Sequence, residues 1–150
     1  MEIKMRTDNT SFQSLLKIAC SAVLLLGAAL YTNAHAELPP LHSYSGTEYV
    51  SGGIGLDQST EFKAAMSQFP LAMTFASQLD GKAAYVSEVQ VVIRDQHGNT
   101  TLNAASEGPY FLVKLPPGHY EVFATYNSKT LSRKVDIGAK GSTRAMFEWK

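Results

Sequence analysis

Three features of the chain have residue types and spacing that could do chemistry. The first is Ser51-Gly-Gly-Ile-Gly55, a glycine-rich stretch directly before a helical pattern. Glycine amides at a helix N-terminus can cradle a phosphate or carboxylate. Against that use, Asp57 and Glu61 already place negative charge at the positive end of the helix, and no lysine follows as in a P-loop. The plainer expectation is that the glycines let the backbone turn tightly and pack closely. With Tyr49 just upstream, the candidate binding residues are Tyr49, Gly52, Gly53 and Gly55.

The second feature is the histidines. His42, His97 and His119 have no histidine partner at i+2 or i+4, and Cys20 is the one cysteine of the chain. That spacing supplies no metal site, so neither metal nor cofactor is expected. A nucleophile elbow is missing too: Ser51 is followed by two glycines but preceded by Val50. No catalytic residue is therefore assigned. The third feature is the aromatic supply: Tyr44, Tyr49, Tyr85, Tyr110, Tyr126 and Trp149. Two or three of these on one exposed face would make a platform for a sugar or peptide, whereas most are expected in the core.

The elements that must position these residues follow from periodicity. Residues 37–56 carry Pro39-Pro40, Gly46, Gly52-Gly53 and Gly55, and read as an extended leader with a short strand at Glu48–Ser51. Phe62, Ala65, Met66 and Phe69 then fall at i, i+3, i+4 and i+7, predicting one short amphipathic helix over residues 57–69. Asp57 or Ser59 is expected to cap it, and Pro70 to stop it. Beyond Pro70 the period becomes two, as in Leu71, Met73, Phe75, and again in Val89, Val91, Ile93. Runs at 100–105, 109–114, 120–127, 131–137 and 143–149 bring the count to about seven strands. Turn signals such as Asp80-Gly81, Gly98-Asn99, Pro116-Pro-Gly118 and Gly138–Gly141 separate them. That spacing predicts an antiparallel β-sandwich.

Composition bounds the partners and the address. Thirteen basic and thirteen acidic side chains give zero formal charge, which argues against binding nucleic acid through its phosphates. The start of the chain is basic at Lys4, Arg6 and Lys17, followed by a 13-residue apolar run, Ile18–Leu30, and by Ala34-His35-Ala36. These are the parts of a secretory signal peptide, with cleavage expected after Ala36. The run is too short to span a bilayer comfortably, which takes about 20 residues. No stable membrane span is expected after cleavage. Cys20 lies near the start of the apolar run rather than after it, so it does not read as a lipidated cysteine. Residues 37–150 contain no cysteine, which suits an oxidising compartment.

The stretch Gly108-Pro-Tyr-Phe-Leu-Val-Lys-Leu-Pro-Pro-Gly-His-Tyr-Glu-Val122 resembles the recurring core of carboxypeptidase regulatory-like, transthyretin-like domains. In that family an apolar strand runs into Leu-Pro-x-Gly-x-Tyr, matched here by Leu115, Pro116, Gly118 and Tyr120. The resemblance covers residues 70–150. It implies a seven-stranded antiparallel transthyretin-like sandwich preceded by the short helix, with the motif as a structural corner. The leader is similar to that of secreted proteobacterial members of uncharacterised function, which implies the periplasm. Hydroxyisourate hydrolases with related folds carry a Tyr-Arg-Gly-Ser tail, whereas this chain ends Ala145-Met-Phe-Glu-Trp-Lys150, so that activity is not carried over.

The expected organisation is a signal peptide at 1–36, a leader and helix at 37–69 and a carboxypeptidase regulatory-like sandwich at 70–150. The expected function is that of a secreted, periplasmic, non-catalytic binding or accessory module of the cell envelope, with an envelope protein or glycan as partner. The alternatives are a carbohydrate-binding module using exposed aromatics and, behind it, an envelope hydrolase using His97 and His119.

Overall fold

The computed structural model describes residues 37–150. The expected signal peptide and Cys20 lie outside the described residues. In chain order the elements are β1 (His42–Tyr44), β2 (Thr47–Gly52), α1 (Leu56–Ala65), a single 3₁₀ turn (Met66–Gln68), β3 (Leu71–Leu79), β4 (Lys82–Tyr85), β5 (Gln90–Asp95), β6 (Thr100–Ala105), β7 (Tyr110–Val113), β8 (Gly118–Tyr126), β9 (Lys129–Ile137) and β10 (Thr143–Trp149). No described helix is long and apolar enough to cross a membrane.

The protein is mainly β, in two sheets. One has the order β1-β2-β7-β3-β10, with β4 also paired to β3; the other has the order β6-β5-β8-β9. All seven segments with period two are strands, but the described residues form ten. Of the other three, β2 contains the short strand expected at Glu48–Ser51, while β1 and β4 were not expected. The leader is not a loose extension, because β2 pairs antiparallel with β7 from Tyr49 opposite Val113 to Gly52 opposite Tyr110. The antiparallel expectation also fails at one place. The chain leaves β9 in one sheet, crosses at residues 138–142 and enters the other where the Thr143 amide donates to the Pro70 carbonyl at 2.8 Å. Starting beside the first residue of β3, β10 runs parallel to it, from Thr143 opposite Leu71 to Trp149 opposite Ser77.

Between the sheets lies the main core. It takes Leu71, Met73 and Phe75 from β3, Phe111 and Val113 from β7, and Ala145, Phe147 and Trp149 from β10. Val91, Ile93, Val122, Ala124, Val135 and Ile137 answer from the other sheet. These are the alternate residues of each strand, as a pleated ribbon requires. A second core lies on the opposite face of the first sheet, where Phe62, Ala65, Met66 and Phe69 pack on Val50, Ala72, Tyr110 and Leu112. The helical stripe read from the sequence is the buried stripe, and it gives the described residues three layers. Leu71, Ala72 and Met73 are consecutive and all buried, because β3 is covered on both faces.

The helix is shorter than expected. Its α-helical part ends at Ala65, and Phe69 is already extended (φ −110°, ψ 138°), the conformation favoured before proline. The cap differs as well: Gly55 is the N-cap and makes no side-chain cap bond, while the Ser59 hydroxyl donates to the Leu56 carbonyl at 2.9 Å. At the corner, Leu115 is buried, and the Tyr120 hydroxyl donates to the Pro116 carbonyl at 2.9 Å. Gly118 has φ 158°, near extended backbone, and an added Cβ would meet only the Tyr120 ring, at 3.5 Å.

Candidate functional site

Beyond Gly52, β2 ends while β3 continues. β7 pairs with β3 over Leu71–Thr74 and β4 over Ala76–Leu79, so β4 follows β7 along the same side of β3. No described strand covers the far side of β4. At the Tyr85 end of β4 is a groove of about 560 Å³ between the Gly53–Leu56 segment and Tyr85–Ser87, with Ser59 and Pro109 completing its wall. None of its lining residues is charged. Ile54, Leu56 and Tyr85 stand in it 66%, 81% and 59% exposed. They are three of the six large hydrophobic side chains exposed among the described residues.

The glycine stretch shapes this groove. Gly53 has φ 96°, and a Cβ added there would fall 2.2 Å from Cδ2 of Tyr110. A Cβ on Gly108 would fall 2.2 Å from the Gly52 carbonyl oxygen. The two glycines therefore let β2 and the approach to β7 pack without side chains between them. The Gly53 and Ile54 amides do not point at an open anion site. They donate to Oε1 of Gln58, at 2.8 Å and 3.0 Å. Gln58 is the third residue of α1 and reaches back past the N-cap Gly55 to the two amides before it. Gln58 was the residue to notice in the sequence, since a Gln in the first turn of a helix can take up amides that precede it.

Of the expected binding residues, Gly53 and Gly55 line the groove. Gly52 ends β2 beneath the ring of Phe62. Tyr49 is elsewhere: half-buried, it packs against the main core with its ring stacked 5.1 Å from Phe111 and 5.4 Å from His42. Sequence reasoning missed Ile54, Leu56 and Tyr85 as a group, because β4 was not recognised as a strand.

Tyr110 forms part of the groove's support. Its ring packs between Phe62 and Tyr85, with centroids at 6.0 Å and 5.7 Å. Its hydroxyl is the buried side-chain polar atom without a hydrogen-bond partner among the described residues. Burial, and after it the neighbouring Tyr85 phenol, push the Tyr110 hydroxyl up to about 12. Two buried serines hold the loops around it. The Ser51 hydroxyl donates to the Tyr110 carbonyl at 3.0 Å and accepts from the Glu107 amide at 2.9 Å. The Ser106 hydroxyl accepts from the Val89 amide at 2.9 Å.

A second depression, of about 520 Å³, lies on the outer face of the other sheet. His119 Nδ1 bonds the Asp136 carboxylate there, with both side chains well exposed. Arg94 lies over the Phe123 ring at 5.3 Å, and Lys134 and Glu121 stand beside them. Asp95 is held below the usual carboxylate range, first by the Asn99 side chain and then by the Asn99 and His97 amides. The residues lining this depression include no serine, threonine or cysteine. His119 has a carboxylate that orients its ring through Nδ1. His97 is exposed in the β5–β6 turn, bonding the Gln96 side chain at 3.3 Å, and His42 stands 3.8 Å from Glu107. No group of three metal-ligating side chains occurs among the described residues. Of the aromatics named from the sequence, Tyr85 alone is exposed; Tyr44, Tyr49 and Tyr126 are half-buried, and Tyr110 and Trp149 are buried. Compared with models of known protein families and with curated proteins, the chain matches none.

Proposed function

We propose that this protein is a secreted, non-catalytic binding or accessory module of the cell envelope. On this reading it is a transthyretin-like sandwich whose contact surface is the groove beside β4. The observation that carries the proposal is the coincidence of an unpaired strand edge with an uncharged groove holding exposed Ile54, Leu56 and Tyr85. An edge strand offers main-chain donors and acceptors at every second residue, and apolar walls beside it add affinity. Protein partners use this combination by adding a strand. The periplasmic location rests on the signal-peptide pattern of residues 1–36.

A photo-crosslinking residue placed at Tyr85 tests the reading, with one at Thr130 on the opposite sheet as control. Reproducible polypeptide adducts in the native envelope from position 85, and not from 130, are the expected result. Adducts from 130 alone would overturn the assignment of the groove.

A further inference from the structure

We propose that the edge formed by β9 and β10 is a further binding surface, one that seats the protein edge-on against an anionic lipid surface. The zero net charge of the chain conceals how its charges are distributed. Residues 129–150 carry six basic side chains, Lys129, Arg133, Lys134, Lys140, Arg144 and Lys150, and two acidic ones. Residues 37–128 carry four basic and nine acidic. The basic stretch is one place in the fold. β9 ends one sheet and β10 ends the other, and no described strand pairs with the outer side of either. The two strands are joined directly: the Trp149 indole N–H donates to the Lys129 carbonyl at 2.9 Å, and the Thr143 hydroxyl to the Asp136 carbonyl at 2.8 Å.

All six cations are exposed. The ion pairs among the described residues, His42–Glu107, Lys114–Glu48 and His119–Asp136, involve none of them. The two local acids have other partners, since Asp136 is bonded by His119 and Glu148 accepts from the Gln78 side chain at 2.8 Å. Lys134 stands opposite Glu121 across the β8–β9 ladder without an ion pair. Lysine on an edge strand also deters strand addition. That need accounts for Lys129 and Lys134 but not for Lys140, which belongs to the crossover rather than to a strand.

The placement of the cations decides what they fit. Arg144 is in register with Ala72, on the face of the first sheet that packs on α1. Lys134 is on the outer face of the other sheet. Between the two, the Arg133 guanidinium lies over the Phe147 ring at 5.7 Å. The depression beside it, of about 370 Å³, is lined by Glu148 as well as Arg133, so it offers a small anion no site of its own. An added peptide strand would meet one face of this edge. A broad surface approached edge-on meets all three cations, because packed sheets are only about 10 Å apart and long basic side chains turn their heads toward charge. Met146, 46% exposed, follows Arg144 on the same face and supplies an apolar contact among the headgroups.

Co-sedimentation of the purified protein with vesicles tests this, comparing phosphatidylcholine alone with equal parts phosphatidylcholine and phosphatidylglycerol. The readout is the ratio of the two affinities and its change on substitution, so residues 1–36 contribute equally to every variant. The protein is expected to favour the phosphatidylglycerol vesicles and to lose that preference in salt, as the screening length falls from about 10 Å at 0.1 M to about 3 Å at 1 M. Each cation held near such a surface is worth about fivefold in affinity. Arg133→Gln, Lys134→Gln and Arg144→Gln combined should lower the ratio on the order of a hundredfold, with an unchanged far-ultraviolet circular dichroism spectrum. Lys63→Gln, Lys82→Gln and Lys114→Gln combined remove the same charge elsewhere and should leave the ratio in place. No preference for phosphatidylglycerol in low salt would overturn the inference. So would a preference that the edge variant keeps, or one that both combined variants lose alike. Binding to soluble polyglutamate but not to the vesicles would give the edge to an acidic polypeptide and overturn the lipid surface.

Discussion

Gly53 and Tyr110 are fixed by each other, and substitutions at the two positions should have opposite signs. An alanine at 53 has both a φ that disfavours side chains and an atom 2.2 Å from the Tyr110 ring. Gly53→Ala should therefore destabilise the protein by about 1–3 kcal/mol, through overpacking and strain, read as a lower urea midpoint with an unchanged slope. Tyr110→Phe removes a buried hydroxyl without a partner, and should be neutral or stabilising at pH 7. The same variant separates out an alkaline effect. The Tyr110 hydroxyl is raised from an ordinary 10 to about 12, so above pH 10 the unfolded chain loses this proton before the folded chain does. Stability present below pH 10 is thus lost as the pH climbs toward 12. Denaturation at pH 9, 10 and 11 should show a shallower decline in Tyr110→Phe than in the parent protein.

Phe62 is the residue through which α1 holds its sheet: it is fully buried, against Tyr110 and over Gly52. Phe62→Ala should cost about 3–5 kcal/mol, measured by urea unfolding followed through Trp149 fluorescence. The helical stripe was legible because Phe62, Ala65, Met66 and Phe69 follow one period. The seven main strands were legible because their inner residues face a core and their outer residues, mostly, do not. β4 left no such trace, since Lys82-Ala-Ala-Tyr lies at an edge and buries none of its residues. β1, with three residues exposed or half-exposed, left none either. The parallel docking of β10 is set by where a crossover ends, and periodicity carries no information on strand direction. The glycine stretch was visible as a feature from the start. Its role in the groove depended on Tyr85, some 30 residues away, and on Gln58 taking up the amides.

Across the whole molecule, two expectations follow from the proposed export. Mass spectrometry of protein recovered from the envelope should place its first residue at Glu37, and a retained Met1 would contradict the cleavable signal. Since residues 37–150 have no cysteine, thermal unfolding of that protein should be indifferent to reductant. The parallel pairing of β3 with β10 has a consequence in time. Leu71 meets its neighbour Thr143 only after the intervening 71 residues have been made and arranged. Contacts between such distant residues form slowly, on the millisecond-to-second scale typical of sandwiches. Until then Leu71-Ala-Met-Thr-Phe-Ala76, apolar on both faces, has an unsatisfied side. The waiting strand is an apolar segment open to wrong pairing while the chain is still folding.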